Sequence, residues 1–338
     1  MKKATLNLVA LAIPLAGALY LTQAGSARSN CFFGMCDASA VVALDNEFFA
    51  VADDEETLLR VYSRRAPGRA AYTLELAPFL GLPRRGAEVD LEGGARLGNR
   101  IYWISSHGCN AEGKEQPSRR RFFATTGAIT NGMIDLRPLG RPYTQLLQDL
   151  IRDPRLAPFE LAEAARRMPK APDALNIEGL CATPEGGLLI GFRNPIPGGR
   201  GLIVPLLNPA GVVDGREPAR FGDPILLELG GLGVRSLTYR QNRYWIVAGS
   251  YDGESMSRLY DWGGGFAVPR PLAFGELDGL NPESVTFFTE SEGDQLWVVS
   301  DDGTVQINGR DCKRLKDPRG KRFRAVGIPL SDPMTAQR

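Results

Sequence analysis

Five segments of the chain repeat one order of polar and apolar positions. Each begins with a charged residue and a small residue, continues with a short apolar run, and turns at a pair that contains Asn or Gly. A second, more hydrophobic run follows and ends in a polar or charged pair. Such short runs, rich in β-branched and aromatic residues and bounded by turn residues, predict β-strands. The second runs are Phe48–Ala52, Ile101–Ile104, Leu188–Phe192, Tyr244–Ala248 and Leu296–Val299.

Two further strands follow in each unit, so that a unit holds four strands in about 50 residues. In the second unit they are predicted at Arg121–Thr125 and Met133–Leu136, and in the fifth at Thr304–Ile307 and Arg324–Leu330. Strands do not alternate with crossover helices, which disfavours a parallel α/β fold. The repeat therefore predicts an all-β fold, a β-propeller of five four-stranded blades. A ring of six blades, one of them degenerate, is the alternative.

The second unit is longer than the others and contains a different periodicity. Apolar residues recur at helical spacing around Leu146–Ile151 and Leu161–Met168, and prolines interrupt them. We expect a two-helix insertion at about 142–170, between blades two and three. It either covers strand edges or serves as a lid over one face of the ring.

Composition restricts the possible functions. The 338 residues carry a formal net charge of +1 and are 43% hydrophobic, so no field for nucleic acid or a membrane surface is predicted. The chain has one histidine. This excludes metal sites built from several histidines and allows at most one histidine-based catalytic triad. We expect a monomer with a small-molecule or peptide ligand.

The N-terminus has the features of a secretory signal peptide. Lys2 and Lys3 precede a mostly apolar run, Leu8–Leu21, and small residues follow at Ala24 and Ala27. The run is short for a membrane span, and no later stretch approaches one. We therefore expect residues 1–27 to be removed, residues 28–338 to form one propeller domain, and the protein to be periplasmic or secreted.

The five cysteines suit an oxidising compartment, and their odd number leaves one thiol unpaired in a monomer. Cys36 precedes the first predicted blade and Cys312 lies late in the fifth. A disulfide between them would tie the two ends of the ring, and we prefer it to the alternative, Cys31–Cys36. Cys181 lies in an apolar strand and is predicted to be a buried free thiol.

The repeat brings acidic residues towards one axis, because the first strand of a propeller blade lines the central channel. Aligning the units places four carboxylates at matching heights, with two asparagines at a second level. Hard oxygen ligands that converge from several blades are those that Ca²⁺ prefers. The alternative is that each carboxylate only braces the next blade. The residues are Asp37, Glu92, Glu178 and Glu283, followed by Asn176 and Asn281.

The polar ends of the second strands predict a further ring of ligand-binding residues, because propeller loops gather at one face. His107 is a candidate general acid or base, since it alone has an unperturbed pKa near neutrality. Arg193 is a candidate for positioning an anion. The other ligand-binding candidates are Asp53, Asp54, Arg121, Asn194, Asp252, Asp301 and Asp302.

Several long motifs of the chain are specific enough to compare with known families. They are Trp103–Gly108, Ser118–Arg121, Asn176–Leu180, Ile190–Pro195, Ala219–Pro224 and Asp278–Glu283. These motifs resemble an uncharacterised bacterial family, the domain of unknown function 3616. The resemblance extends from about Asp37 to Leu330 and implies no established activity. The chain is more distantly similar to esterase-like phytases and calcium-dependent lactonases, which implies a metal held by carboxylates and asparagines around the axis.

Three functions fit these patterns. The first is an exported binding propeller that holds a small anionic or sugar-like ligand or a peptide at its channel, with Ca²⁺ as the candidate metal. The second is a metal-dependent hydrolase of a phosphoester or lactone, in which Glu92, Glu178 and Glu283 hold the metal and His107 transfers a proton. The third is a scaffold for protein partners.

Overall fold

The computed structural model describes most of the chain after the predicted signal peptide. That peptide, residues 1–27, lies outside the described residues. Strands and helices are numbered in chain order below. The described residues are 29–82, 88–215, 217–253, 257–272, 277, 279–291 and 293–330.

The described residues form five antiparallel sheets of four strands each, which confirms the five-bladed β-propeller. The innermost strands of the five blades contact one another in chain order, and the last contacts the first, so the ring is closed. Blade one comprises β2 (Ala38–Ala43), β3 (Phe48–Asp53), β4 (Leu58–Ser63) and β5 (Tyr72–Glu75). Blade two comprises β6 (Leu91–Leu97), β7 (Arg100–Ser105), β8 (Phe122–Thr126) and β11 (Pro138–Tyr143).

The other three blades follow the same plan. Blade three comprises β12 (Asn176–Ala182), β13 (Leu188–Asn194), β14 (Gly201–Leu206) and β15 (Ile225–Leu227). Blade four comprises β16 (Gly233–Arg240), β17 (Arg243–Gly249), β18 (Arg258–Trp262) and β19 (Arg270–Leu272). Blade five comprises β20 (Pro282–Glu290), β21 (Gly293–Ser300), β24 (Arg322–Pro329) and β1 (Asn30–Phe33).

Apolar side chains fill the interfaces between blades. In the described residues, each of the five interfaces between neighbouring blades holds its own buried cluster. Both faces of a blade are therefore packed, and for this reason the second strands are almost continuously apolar. In β17, for example, every residue after Arg243 is buried.

The N-terminal strand β1 closes the ring by pairing with β24 as the outermost strand of blade five. The prediction of a blade strand at Thr304–Ile307 is therefore wrong. That segment contributes to a two-stranded hairpin of β22 (Gln306–Ile307) and β23 (Arg310–Asp311) outside the blade. The closing strand is stabilised by Phe32, which is fully buried and whose ring centre lies 5.1 Å from that of Phe49 and 5.2 Å from that of Phe323.

The outermost strand of blade two also differs from the prediction. Residues Met133–Asp135 form β10, which pairs with β9 (Ala128–Thr130) in a separate hairpin, and β11 takes the outer position in the blade. Asn131 and Gly132 both have positive φ, as a type I′ hairpin turn requires. Because of this tight turn, Met133–Asp135 pairs with β9 and not with β8.

The segment between blades two and three is helical. It contains α1 (Leu146–Arg152), a 3₁₀ segment (Pro154–Phe159) and the short α2 (Leu161–Ala164). Their leucines join the apolar cluster between the two blades, whereas Ile151 and Met168 are exposed. Within the described ranges, no helix has the length and apolar character needed to cross a membrane.

Cys36 and Cys312 form a disulfide, with Cα atoms 5.9 Å apart and a sequence separation of 276. The other cysteines are free, and Cys109 and Cys181 are buried. The disulfide joins the entrance to blade one with the loop that precedes β24. The two ends of the ring are thus held together by a covalent bond and by strand pairing.

Replacing Phe32 with Ala tests the closing strand. We expect Phe32→Ala to lower the free energy of unfolding by about 3–5 kcal/mol, because it leaves a cavity in the interface between blades five and one. Denaturant unfolding of the disulfide-bonded protein measures the change. Phe266→Ala, at a fully exposed position, should change stability by less than about 0.5 kcal/mol. Equal effects of the two variants would contradict the assignment of β1 as a stabilising strand.

Candidate functional site

Each inner strand contains a β-bulge at the same position. In every blade the register between the first and second strands shifts by one residue near the start of the inner strand. A bulge leaves one residue without a partner and redirects its side chain. The five bulges therefore place one residue per blade in a ring at the axis. These residues are Ser39, Glu92, Glu178, Arg235 and Glu283.

The register corrects one predicted member of this ring. Asp37 was aligned with Glu92, but the bulged residue of blade one is Ser39, because Ala38 pairs with Asp53 and Ala40 with Ala52. Asp37 lies two residues earlier in the chain. It occupies the level of Asp90, Asn176 and Asn281, nearer the channel mouth.

Three glutamates converge at the axis. Carboxylate oxygens of Glu92, Glu178 and Glu283 lie within 4.8 Å of one another. Arg235 forms ion pairs with two of them: its Nε lies 3.2 Å from Glu178 Oε2, and its terminal nitrogen contacts Glu283. Arg193 also donates to Glu178, at 2.7 Å from Nη1 to Oε1. Blade four thus supplies an internal cation where three other blades supply carboxylates.

Glu92 differs from the other two glutamates because no ion pair to it occurs within the described part of the chain. Burial raises the pKa of Glu92 well above its usual range, and the carboxylates of Glu178 and Asp90 raise it further. For Arg235, burial lowers the pKa, but Glu283 and Glu178 more than offset this effect. Ionisation of Glu92 would therefore place a charge at the axis that no ion pair among the described residues offsets.

A buried amide oxygen borders the same cluster. Asn176 is 9% exposed and donates from Nδ2 to Glu178 Oε1 at 2.8 Å. Its Oδ1 has no hydrogen-bond partner among the described residues. An unpaired buried carbonyl oxygen costs free energy unless a donor or a cation satisfies it. Together with the three carboxylates it forms a set of hard oxygen donors, which fits Ca²⁺.

A second acidic group lies at the mouth of the channel. Ligand atoms of Asp37, Asp54 and Glu55 lie within 4.8 Å of one another, and Lys313 Nζ is 3.5 Å from Glu55 Oε1. Burial and the neighbouring Asp301 raise the pKa of Asp37 to about 7. Burial and the carboxylates of Asp37 and Asp53 raise the pKa of Asp54 well above its usual range. The ammonium of Lys313 compensates this group in part.

Other predicted ligand-binding residues hold loops in place. Asp53 accepts hydrogen bonds from the backbone N–H groups of Glu55 and Glu56. Asp302 forms a two-pronged ion pair with Arg324, with both distances 2.8 Å. Asp301 accepts from the backbone N–H of Gly303. These carboxylates position the mouth loops, and Asp53 and Asp301 also interact electrostatically with Asp37.

Of three further candidates, two form hydrogen bonds within the protein and one lies in a loop. Asn194 donates to the carbonyls of Pro169 and Ala171, which ties the helical insertion to blade three. Arg121 donates to backbone carbonyls, including that of Pro117 at 2.6 Å. Asp252 is half-buried in the loop after β17.

His107 is fully buried. Its Nδ1 lies 2.8 Å from the carbonyl oxygen of Ser105, and its Nε2 has no partner among the described residues. Burial lowers the pKa of His107 to about 4. The imidazole is therefore neutral near pH 7 and has no contact with solvent in this conformation.

Sequence reasoning missed five members of the site. Ser39 occupies the ring position in a register two residues later, and Asp90 lies two residues before Glu92, the spacing that Asn176 and Asn281 share. Arg235 aligns with the glutamates of the repeat, which was the available signal, and Glu55 directly follows the predicted Asp54. Lys313 carries no pattern of its own and reaches the mouth because it follows the disulfide-bonded Cys312.

Comparisons with known proteins agree with the fold and with the family resemblance. Residues 138–278 match the family model described as "Protein of unknown function (DUF3616)", which confirms that resemblance. The search of curated proteins gave no match.

Solved structures resemble the fold at low sequence identity. The major Malassezia sympodialis allergen Mala s 1 is 10% identical, with a TM-score of 0.50, over 89% of this chain and 96% of that chain. A Myxococcus xanthus glutaminyl cyclase is also 10% identical, with a TM-score of 0.48, over 91% of this chain and 97% of that chain. The likeness to the allergen shows a shared fold and no shared activity.

The mouth carboxylates predict a dependence of stability on pH in metal-free protein. The pKa of Asp37 is about 7 when folded and about 3.9 when unfolded, so the folded state holds this proton more tightly. The stabilisation that this bound proton contributes to the folded state is complete at low pH and is lost as pH rises from about 4 to about 7. We expect Asp37→Asn to stabilise the chelated protein relative to wild type by on the order of 2–4 kcal/mol more at pH 8 than at pH 4.

Denaturant unfolding at a series of pH values measures this difference. Asp223→Asn, whose side chain is 91% exposed, serves as the matched control and should show no comparable trend. A gap between Asp37→Asn and wild type that stays constant with pH would contradict the prediction.

Proposed function

We propose that this chain is an exported ligand-binding β-propeller that holds a divalent cation, Ca²⁺, at its axis. Glu92, Glu178 and Glu283 would supply carboxylate oxygens, and Asn176 would supply an amide oxygen. The cation would then take part in binding a small anionic or sugar-like ligand at the channel mouth.

The observation that carries the proposal is the uncompensated Glu92, whose carboxylate lies within 4.8 Å of those of Glu178 and Glu283. Arginines form ion pairs with Glu178 and Glu283, although burial still raises the pKa of Glu283 to about 8, and a purely bracing role would predict a similar partner for Glu92. A cation among the three carboxylates would lower the cost of ionising Glu92, and Asn176, which is hydrogen-bonded to Glu178, would offer it an unpartnered Oδ1. Oxygen donors from separate elements are typical of Ca²⁺ sites, whereas Mg²⁺ usually keeps several waters.

The charge of the mouth restricts the ligand. Asp37, Asp54 and Asp301 would repel an anion, and the guanidinium of Arg193 is engaged by Glu178 and by the carbonyl of Ser250. An anionic ligand would therefore depend on the cation to bind. A sugar would offer hydroxyl groups both to the cation and to the mouth carboxylates.

The hydrolase alternative has less support. It requires a proton-transfer group that can reach both solvent and substrate, and His107 is buried with its pKa lowered to about 4. We therefore favour binding over hydrolysis for this site.

Calcium titration of chelated protein tests the proposal. We expect one Ca²⁺ per chain by calorimetry and a rise in stability of about 2.7 kcal/mol at a hundredfold excess over Kd. Glu92→Gln should abolish this rise, because it removes the uncompensated carboxylate. The exposed Glu228→Gln, with its side chain at 70% exposure, should retain it.

The stability of Glu92→Gln without Ca²⁺ separates metal binding from bracing. If Glu92 is an uncompensated metal ligand, removing its charge should leave the stability of the metal-free protein unchanged or raise it. If Glu92 is a brace, the same substitution should lower the free energy of unfolding by about 1–3 kcal/mol. Absence of Ca²⁺ binding to the wild type, or destabilisation by Glu92→Gln that Ca²⁺ does not affect, would overturn the proposed metal site.

A further inference from the structure

A separate groove lies at the other end of the inner strands, between blades three and four. It encloses about 510 Å³. The turn between β12 and β13 forms one side, and the glycine run after β18 forms part of the other. Glu178 lies near the start of β12 and Thr183 just after its end, so this groove and the axial cluster lie towards opposite faces of the propeller.

Aromatic rings form one wall of this groove. The ring centres of Tyr239 and Tyr244 lie 4.8 Å apart, and those of Tyr244 and Trp262 lie 4.9 Å apart. Tyr239 is half-buried, so part of its ring faces the groove, while Trp262 supports the wall from within. Phe266 follows the lining glycines Gly263–Gly265 and is fully exposed.

Neutral and acidic polar groups are interspersed with the rings. Asn242 accepts a hydrogen bond from the Tyr239 hydroxyl at 3.2 Å, and the carboxylate of Glu185 is exposed at the turn. Burial raises the pKa of Tyr244 to about 12, so its hydroxyl remains a donor near neutral pH. Among the described residues that line the groove, none is Lys or Arg. The groove thus offers donors and acceptors but no charge that would attract an anion.

The groove continues towards the lower opening of the central channel. A second cavity of about 380 Å³ is lined by the ends of the inner strands of all five blades. Thr183, Pro184 and Tyr239 line both cavities. The two spaces therefore form one elongated depression from the axis to the edge between blades three and four, suited to a ligand of several linked units.

We propose that this depression binds a neutral oligosaccharide. Aromatic faces pack against the C–H faces of pyranose rings, and carboxylate, amide and phenol groups bond with sugar hydroxyls. The volumes are within the range of small-molecule sites. The groove has no lining cation among the described residues, and the two arginines that line the second cavity are engaged, Arg240 by Asp294 and Arg96 by the carbonyl of Leu44. This disfavours phosphorylated or sulfated ligands, and the number of polar groups disfavours a purely apolar one. This site is independent of the proposed calcium site.

Calorimetric titration with cellohexaose, xylohexaose, maltohexaose and chitohexaose tests the proposal. We expect wild-type protein to bind at least one of them with a Kd of 1 mM or tighter. Tyr239→Ala should weaken this binding tenfold or more, and Tyr244→Phe, which removes a lining hydroxyl, should weaken it as well. Met133→Ala, at an exposed apolar position in the β9–β10 hairpin, should leave it unchanged, as should Glu92→Gln.

Each alternative outcome decides against the proposal. If none of the four sugars binds wild type at 10 mM sugar, the depression is not a site for neutral oligosaccharides. If a sugar binds but both aromatic variants bind equally well, its site lies elsewhere. If Glu92→Gln or chelation removes the binding, the sugar occupies the axial site, which would support the proposed function and overturn this inference.

Discussion

The axial carboxylates impose the main physical constraint on this propeller. Carboxylates gathered in a poorly solvated channel repel one another and must be protonated, paired or bound to a cation. The five bulges create this problem, because they turn one residue from every blade towards the axis. Arg235 forms ion pairs with Glu178 and Glu283, although burial still raises the pKa of Glu283 to about 8. No ion pair among the described residues reaches Glu92, whose pKa is raised well above its usual range, so Glu92 is the member of the cluster that a cation would compensate.

Ring closure and the channel mouth depend on the same residues. Cys36 precedes Asp37 and Cys312 precedes Lys313, so the disulfide brings a mouth carboxylate and its compensating ammonium together. Strand β1 independently closes blade five through Phe32. Because a disulfide and a strand pairing both close the ring, ring closure does not depend on the mouth loops alone.

The blade count was predictable because every blade must bury both faces, and this requirement repeats the same apolar pattern in the sequence. The exact register was harder to predict. The acidic side chain of Asp37 favoured its alignment with Glu92, but the bulged residue is Ser39. The position of the bulge depends on how the strand pairs with β3. The closing strand was missed because Asn30–Phe33 lies far in sequence from β24. The Asn131–Gly132 turn is a local signal for the β9–β10 hairpin. The prediction of four strands per unit assigned the second strand of this hairpin to blade two instead.

The two ends of the inner strands have opposite chemistry for a structural reason. At the start of each strand the bulge turns a single side chain towards the axis, and charged groups from different blades meet there. At the other end the strands are regularly paired, and β16, β17 and the segment after β18 bring tyrosines and glycines between blades three and four. A single strand such as β12 thus carries Glu178 in the axial cluster and leads to Thr183 in a groove lined by aromatic and polar side chains. The propeller can therefore present two chemically separate surfaces without any insertion into its blades, and substitutions at one end need not alter the other.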